Sequence, residues 1–406
     1  MKSVFTYGFF GVANSLILFL TNIILVKELT QSSYGEINVA LSYFALVISL
    51  VSFNALGLVS IKRSVLDKHQ FEIFNNAYKR IILFGTIVSF VILLIISVYF
   101  NSFKYIILVI PFYICFVAIT DYSSAVLIQD KRPATYGIAL MITRGIGVAS
   151  AYTLIYYGCD GLFAYFLGLT IGEGISILYR IKAGQSFLFT NSRCSAIDRR
   201  NASKEIIVYG VTLLPLLFFG WFFNGVDKIV ISAKTDLSSV AVYSFAMMLA
   251  QSFSVINSVI VNVKMPEIYR ILANKQPQNV KYGGFLIIFL TLGVVLLPLF
   301  YLATDFVIIY MINPQYKESA GIATILMVSV MFNGSYRLVI SVTDFYKKNL
   351  HKTVLTILSS SFAFVLMNIF VERWGSVSVA LSILAGNIAL FIGALILANT
   401  FTKVSQ

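Results

Sequence analysis

Four ionisable side chains lie inside long apolar runs of this 406-residue sequence: Asp121, Arg144, Glu173 and Arg337. A charge held in hydrocarbon costs about 2.5–3.5 kcal/mol on insertion scales, so such residues are functional candidates by default. An arginine guanidinium is planar and always charged, and it suits a phosphate group best. We therefore expect Arg144 and Arg337 to bind an anionic group, with Asp121 and Glu173 balancing charge or exchanging an ion.

Each of these charges also has a structural interpretation. Asp121 and Arg144 can form an ion pair between the fourth and fifth apolar runs. Arg337 can extend its long side chain to the membrane surface, as arginines near helix ends do. Both interpretations stay open at the level of sequence.

A second charged pair, Asp227 and Lys228, closes the seventh apolar run. Adjacent charges at a helix end favour a solvated pair of little energetic weight. The alternative is that Lys228 joins the anion site and that Asp227 balances its charge.

Metal, nucleotide and disulfide chemistry find no support in the sequence. The three cysteines, Cys115, Cys159 and Cys194, are far apart, and both histidines stand beside lysines in polar stretches. No glycine is followed by lysine, so the phosphate-binding loop of an ATP-driven pump is missing from the chain. We predict no cofactor, no metal and no catalytic residue.

The composition makes the chain a polytopic membrane protein. It is 59% hydrophobic and 12% charged, whereas soluble domains average about 45–50% and about 25%. One bilayer crossing needs about 20 apolar residues. Twelve runs meet that length, at 7–26, 37–58, 81–100, 105–126, 134–156, 162–179, 206–226, 238–261, 282–303, 320–343, 353–371 and 377–398.

The placement of basic residues predicts the orientation. Alternate loops hold 22 of the 30 lysines and arginines on one side and six on the other, which places both termini in the cytoplasm. The net charge of +13 is thus a topology signal, and it needs no nucleic-acid partner. On this orientation the four charges within the runs lie about 10–17 Å from the cytoplasmic helix ends, in one layer.

The chain is expected to consist of two parallel six-helix halves, 1–180 and 206–406, joined by a basic cytoplasmic linker, 181–205. Short echoes support a duplication, such as Gly158-x-x-Gly161 and Gly375-x-x-Ser378, 217 residues apart. Transporters built from such repeats hold the substrate path between the halves. Two further glycine pairs, at 145 and 147 and at 172 and 174, predict close helix approach.

The sequence resembles bacterial O-antigen and capsular polysaccharide flippases, in the polysaccharide transporter branch of the multidrug, oligosaccharidyl-lipid and polysaccharide exporter superfamily. The motifs that carry the resemblance span the whole chain: Tyr34-Gly35-Glu36, Gln129-x-Lys131-Arg132, Gly158-x-x-Gly161, Trp221, Asp227-Lys228-Ile229-Val230, Val242-Tyr243-Ser244, Pro266-x-x-Tyr269 and Gln315-Tyr316 ahead of Ala320.

The resemblance implies a V-shaped, MATE-like bundle of twelve helices in the bacterial inner membrane. It implies alternating access and transfer of undecaprenyl-diphosphate-linked oligosaccharide repeat units to the periplasmic leaflet. The pathway's polymerase and chain-length regulator are the implied partners, beside the lipid-linked substrate and the bilayer. Two rivals remain open: a proton- or sodium-coupled small-molecule or multidrug antiporter of the same superfamily, and a polysaccharide polymerase.

Overall fold

A computed structural model describes residues 2–52, 56–100, 106–185, 196–223, 225–274, 282–346 and 348–404. Within these ranges the chain is all-α, with no β-strand, as the sequence predicts. Eight of the described helices are long and apolar enough to cross a membrane. The chain is a multi-pass membrane protein.

The first six predicted crossings each coincide with a helix or a pair of helices. These are α1 (Lys2–Glu28), α2 (Gln31–Val51) with α3 (Leu56–Val65), α4 (Lys68–Phe100), α5 (Ile110–Gln129), α6 (Pro133–Tyr156) and α7 (Gly161–Lys182). Local signals fix several helix starts. The Thr30 hydroxyl caps α2 by accepting from the backbone N–H of Ser33 at 3.2 Å, and the Asp160 carboxylate caps α7 by accepting from that of Phe163 at 3.0 Å.

The second set of crossings follows the same order. It comprises α8 (Ala196–Phe222), the short α9 (Val226–Lys234), α10 (Leu237–Gln251) with α11 (Phe253–Ala273), α12 (Tyr282–Met311), α13 (Glu318–Phe345) and the long α14 (Asn349–Val404). Helix α14 contains two predicted crossings, because Gly375 has φ 53° and ψ −141° inside it. A residue with a side chain rarely adopts that conformation.

Two equivalent points support the predicted repeat. Gly158 and Gly375, which stand at the same place in the two sets of helices, both have positive φ, at 82° and 53°. In both sets the second crossing is divided, after Val51 in the first and after Gln251 in the second. Neither division was anticipated, since the runs 37–58 and 238–261 are continuously apolar.

Packing divides the described chain into two compact units. Unit 1 contains Met1–Leu29 and Tyr43–Leu217, and unit 2 contains Thr30–Ser42 and Phe218–Gln406. The start of α2 therefore belongs to unit 2, where the indole N–H of Trp221 donates to the carbonyl oxygen of Ser42 at 2.8 Å. The predicted halves, 1–180 and 206–406, are a statement about topology and stay a prediction beside these packing units.

Helix ends are the main departure from the predicted crossings. Helix α4 begins at Lys68, well before residue 81, and α8 begins at Ala196, inside the predicted linker 181–205. Polar residues can continue a helix beyond the hydrocarbon, so an apolar run gives only the buried part of its length. Linker residues 186–195, with Cys194, lie outside the described residues.

Candidate functional site

The candidate site of unit 1 depends on close contact between α6 and α7. A β-carbon placed on Gly172 would lie 2.7 Å from the backbone nitrogen of Gly147 and closer still to the carbonyl oxygen of Thr143. One placed on Gly168 would lie 2.5 Å from the backbone nitrogen of Ala151. Only small residues allow helix backbones to approach in this way. The contact sets Thr143 and its neighbour Arg144 against the turn of α7 that carries Glu173.

Four charged side chains from three helices gather in this part of unit 1. Asp121 of α5 interacts electrostatically with Glu173 of α7 and with two arginines, Arg144 of α6 and Arg180 of α7. Glu173 is only 7% exposed, and Asp121 and Arg144 are half-buried. Two positive and two negative charges keep the group formally neutral, as burial in a membrane requires.

The structural alternative left open by the sequence, an ion pair between Asp121 and Arg144, is not formed. Among the described residues, no carboxylate oxygen lies within 4.0 Å of the Arg144 guanidinium. Instead, Arg144 Nε is buried and lacks a hydrogen-bond partner within the described chain. Buried polar groups are normally satisfied by protein, water or ligand, so this cluster has free capacity to bind a polar group.

Arg180 is the member of the cluster that sequence reasoning missed. It directly follows the apolar run 162–179, where membrane topology alone explains an arginine, but it lies inside α7 and is only 1% exposed. Its guanidinium donates to the hydroxyl of Ser123 at 2.9 Å and to that of Ser176 at 3.3 Å, and thereby ties α5 to α7. A signal was present, since Arg180 follows Glu173 by two helical turns and shares its face.

The buried polar part of unit 2 is built from amides on α13 and α14. Asn333 Nδ2 donates to Asn387 Oδ1 at 3.0 Å, and Asn387 Nδ2 donates to the hydroxyl of Ser329 at 2.8 Å. Arg337 follows one turn after Asn333 and is exposed, although its neighbours along α13 are buried. Within the described chain it has no hydrogen bond or ion pair. It lies inside α13, a helix that is long and apolar enough to cross a membrane.

Asp227 and Lys228 do not form the predicted solvated pair. Asp227 is fully buried, at 0% exposed, at the start of α9 in unit 2. Its carboxylate accepts from the hydroxyl of Tyr243 at 2.8 Å and from the backbone N–H of Lys228 at 2.9 Å. Lys228 is half-buried. The outer end of this apolar run lies in the interior of unit 2, because both α10 and α14 pack against α9.

The predicted site residues thus form separate groups. Asp121, Arg144 and Glu173 come together in unit 1, with Arg180 added. In unit 2, Arg337 adjoins the Asn333 amide network, and Asp227 with Lys228 stands at the start of α9. Among the described residues, no cluster of three or more histidine, cysteine or acidic side chains has the geometry to hold a metal ion.

Comparison with known proteins identifies the fold. No protein-family model matches the sequence, and no curated protein matches it. Solved structures do match. A multidrug resistance transporter of the MATE family, in the MOP superfamily and in its inward-facing conformation, has a TM-score of 0.74 at 12% identity, over 96% of this chain and 95% of that one.

Two further solved structures match this chain. The lipid II flippase MurJ, in an inward closed conformation, has a TM-score of 0.66 at 14% identity, over 97% of this chain and 87% of that one. A MOP superfamily transporter from Pyrococcus furiosus, described as having a binding pocket of reverse polarity, has a TM-score of 0.61 at 13% identity, over 99% of this chain and 95% of that one. The chain has the fold of MATE and MurJ transporters. At these identities the likeness concerns the fold alone.

Proposed function

We propose that this chain is a flippase that moves an oligosaccharide linked to undecaprenyl diphosphate from the cytoplasmic to the periplasmic leaflet by alternating access. O-antigen or capsule repeat units are the proposed cargo, and the bacterial inner membrane, with both termini cytoplasmic, is the proposed location. The sequence resemblance to polysaccharide flippases supports the cargo. The fold, which is shared with a lipid II flippase, is compatible with it.

The observation that carries the proposal is a pair of arginines without ion-pair partners inside membrane-spanning helices. Arg144 belongs to unit 1 and Arg337 to unit 2, and among the described side chains neither has a carboxylate oxygen within 4.0 Å. A guanidinium in a membrane that has no anion in direct contact is costly. An anionic ligand offsets that cost, and a phosphate group can accept a two-pronged hydrogen bond from an arginine.

The physics of the cargo fits a polar interior. A diphosphate and a hydrated sugar chain cannot cross hydrocarbon unaided, because each unsatisfied polar group costs several kcal/mol there. Arginine and amide side chains replace the lost water while the polyprenyl tail stays in lipid. A negative interior also favours outward movement of the anionic head, by about 2.3 kcal/mol per charge per 100 mV.

Ion coupling is part of the proposal at Asp121 and Glu173. Both carboxylates interact electrostatically with Arg144 and Arg180 in unit 1. When a diphosphate reaches Arg144, each carboxylate competes with it for the same positive charge. Protonation of either carboxylate removes that competition. Lys228 and Asp227 are proposed to contribute in the same way in unit 2.

The second candidate function is a proton- or sodium-coupled antiporter of small molecules. Three buried or half-buried carboxylates, Asp121, Glu173 and Asp227, favour it, as does the likeness to a multidrug transporter. The unpaired arginines oppose a cationic drug as cargo, because like charges repel in a low-dielectric interior.

The experiment is deletion of the gene in its own host, with assay of surface polysaccharide and of the leaflet that holds lipid-linked repeat units. Wild type, Arg144→Ala, Arg337→Ala and the matched control Arg373→Ala, an exposed arginine near Gly375, are returned on a plasmid. We expect repeat units to accumulate in the cytoplasmic leaflet, and wild type and Arg373→Ala to restore export. Each of these two arginines, Arg144 and Arg337, is proposed to donate charged hydrogen bonds to the cargo, and a charged hydrogen bond contributes about 1.5–3 kcal/mol. Export through either variant should therefore fall about 10- to 100-fold.

Each other outcome has a distinct meaning. Unchanged surface polysaccharide with altered drug susceptibility favours the antiporter. Single units at the surface without long chains favour a polymerase. Full export through both arginine variants, at normal membrane levels, shows that the arginines do not bind the cargo.

A further inference from the structure

The hydrogen bonds of the amide network beside Arg337 all run in one direction, with Asn333 donating to Asn387 and Asn387 donating to Ser329. The Nδ2 group of Asn387 donates to the hydroxyl of Ser329 at 2.8 Å and to the carbonyl oxygen of Ile383 at 3.2 Å. Both N–H bonds are then used, so Asn387 Oδ1 must face Asn333 as an acceptor. Asn333 Nδ2 donates to this oxygen at 3.0 Å. The orientation of the Asn333 amide is thereby fixed.

Asn333 consequently presents an acceptor that the unit does not use. Among the described residues nothing donates to its Oδ1, and the side chain is half-buried, unlike Asn387 at 6% and Ser329 at 2% exposed. Asn387 and Ser329, which are buried, fix the orientation of the Asn333 amide. Asn333, which is half-buried, keeps its side-chain oxygen available as an acceptor. Preorganised groups of this kind lose little freedom when they bind a ligand.

Arg337 completes the arrangement with donors. At 3.6 residues per turn it projects from α13 between the row of Ser329 and Asn333 and the row of Val330 and Gly334. The Cα–Cβ bond of a helical residue tilts toward the helix N-terminus, so at Arg337 this bond points toward the turn that holds Asn333. One acceptor oxygen and up to five N–H donors lie one turn apart on a single helix.

A further amide side chain packs against the row of Val330 and Gly334. Asn257 of α11 packs on Gly334, which has no side chain to exclude it, and donates its Nδ2 to the carbonyl oxygen of Val330 at 2.6 Å. Asn257 is 3% exposed, and its Oδ1 has no hydrogen-bond partner in the described chain. Amide side chains thus lie on both sides of the helix position of Arg337, Asn333 on one side and Asn257 at Gly334 on the other.

We infer that Asn333 and Arg337 form a subsite for the hydroxyl groups of a sugar, with Asn387 and Ser329 as positioning residues. A sugar hydroxyl both donates and accepts, so adjacent hydroxyls match an acceptor beside a donor. The guanidinium can hold the phosphate while the Asn333 oxygen accepts from the first sugar. This inference rests on the proposed function and adds to it a residue that selects a glycosyl phosphate over phosphate alone.

The test compares dissociation constants of soluble probes for the full-length protein in lipid nanodiscs, by saturation-transfer NMR. The probes are inorganic phosphate and three glycosyl phosphates: glucose 1-phosphate, galactose 1-phosphate and N-acetylglucosamine 1-phosphate. One hydrogen bond contributes about 1 kcal/mol, so we expect the wild type to bind at least one glycosyl phosphate about fivefold more tightly than phosphate.

The variants separate the two residues. Asn333→Ala should abolish the preference and leave phosphate binding unchanged, whereas Arg337→Gln should weaken binding of every probe. Ser335→Ala is the control, because Ser335 lies on the opposite face of α13 and bonds only its own helix, at the carbonyl oxygen of Met331. If thermal unfolding shows that Asn333→Ala is not folded, Asn333→Leu is used in its place, because leucine is apolar and similar in size to asparagine.

Two results overturn the inference: a wild type without the preference, and an Asn333 variant that retains it. They are distinguishable from failure of the proposed function. If the gene deletion blocks export of lipid-linked units while the Asn333 variant keeps the preference, only the subsite is wrong. If the deletion leaves export intact and Arg337→Gln binds phosphate as wild type does, the proposed function fails as well.

Discussion

Gly172→Ala tests whether the contact between α6 and α7 holds the charge cluster together. The added β-carbon would lie 2.7 Å from the backbone nitrogen of Gly147, where ordinary contact begins at 3.4 Å. All three atoms that it meets, the carbonyl oxygen of Thr143 and the nitrogen and α-carbon of Gly147, belong to backbone, so no side chain can rotate away. The helices must separate locally by at least ~0.7 Å, and overpacking of this kind costs about 1–3 kcal/mol.

Gly145→Ala is the matched control. Gly145 lies on the same helix as Gly147, and nothing lies within 4 Å of a β-carbon placed there. Alanine favours a helix over glycine by up to about 1 kcal/mol, so this variant should be as stable as wild type or slightly more stable. The two substitutions are chemically identical and differ only in what the methyl group meets.

The measurement is thermal unfolding of both variants in detergent and in nanodiscs, followed by the export assay. We expect Gly172→Ala to unfold at a lower temperature than Gly145→Ala. Export should also fall, because Thr143 and Arg144 move away from Glu173. Equal stability and equal export of the two variants would refute the argument that backbone contact at Gly172 positions the cluster.

Three further substitutions have calculable effects on stability, measured by thermal unfolding at constant lipid content. Tyr243→Phe removes the hydroxyl that donates to the buried Asp227 carboxylate at 2.8 Å and should cost about 1.5–3 kcal/mol; no loss would mean that this bond adds nothing. Arg180→Gln removes two hydrogen bonds from a charged donor and should cost at least about 1.5–3 kcal/mol, so wild-type stability would contradict its role in tying helices together. Gly375→Ala places a side chain at φ 53° and should cost about 1–3 kcal/mol, whereas Gly321→Ala, with open space around it, should be neutral. If the two alanine variants unfold alike, the strained conformation at 375 is not required.

The membrane crossings could be predicted because each depends on one local property. A run of about 20 apolar residues cannot remain in water, and inside a bilayer its backbone must be helical to satisfy its own hydrogen bonds. The equivalence of Gly158 and Gly375 was also visible, since positive φ selects glycine at both turns. Helix ends escaped prediction, as at Lys68 and Ala196, because polar residues outside the bilayer extend a helix without any change in hydropathy.

The charged site was only partly predictable. Asp121, Arg144 and Glu173 stood out because an isolated charge in an apolar run is rare. Arg180 did not, because it stands at the end of its run beside other basic residues, where topology alone explains an arginine. Asp227 was misassigned for the same reason. Burial of a helix end depends on which other helix covers it, and here α10 covers α9.

The amino-acid sequence by itself determined an all-α membrane protein with many apolar helices and the four charges inside its apolar runs, because hydrophobicity and charge act through neighbours along the chain. The tertiary structure alone decided that Asp121 and Arg144 do not pair, that Arg180 joins the cluster and that Asn387 orients Asn333. The last two depend on contacts between residues 57 and 54 positions apart in sequence, Arg180 with Ser123 and Asn333 with Asn387. They depend on the distance between helices, which small residues such as Gly147 and Gly172 set by letting one backbone approach another.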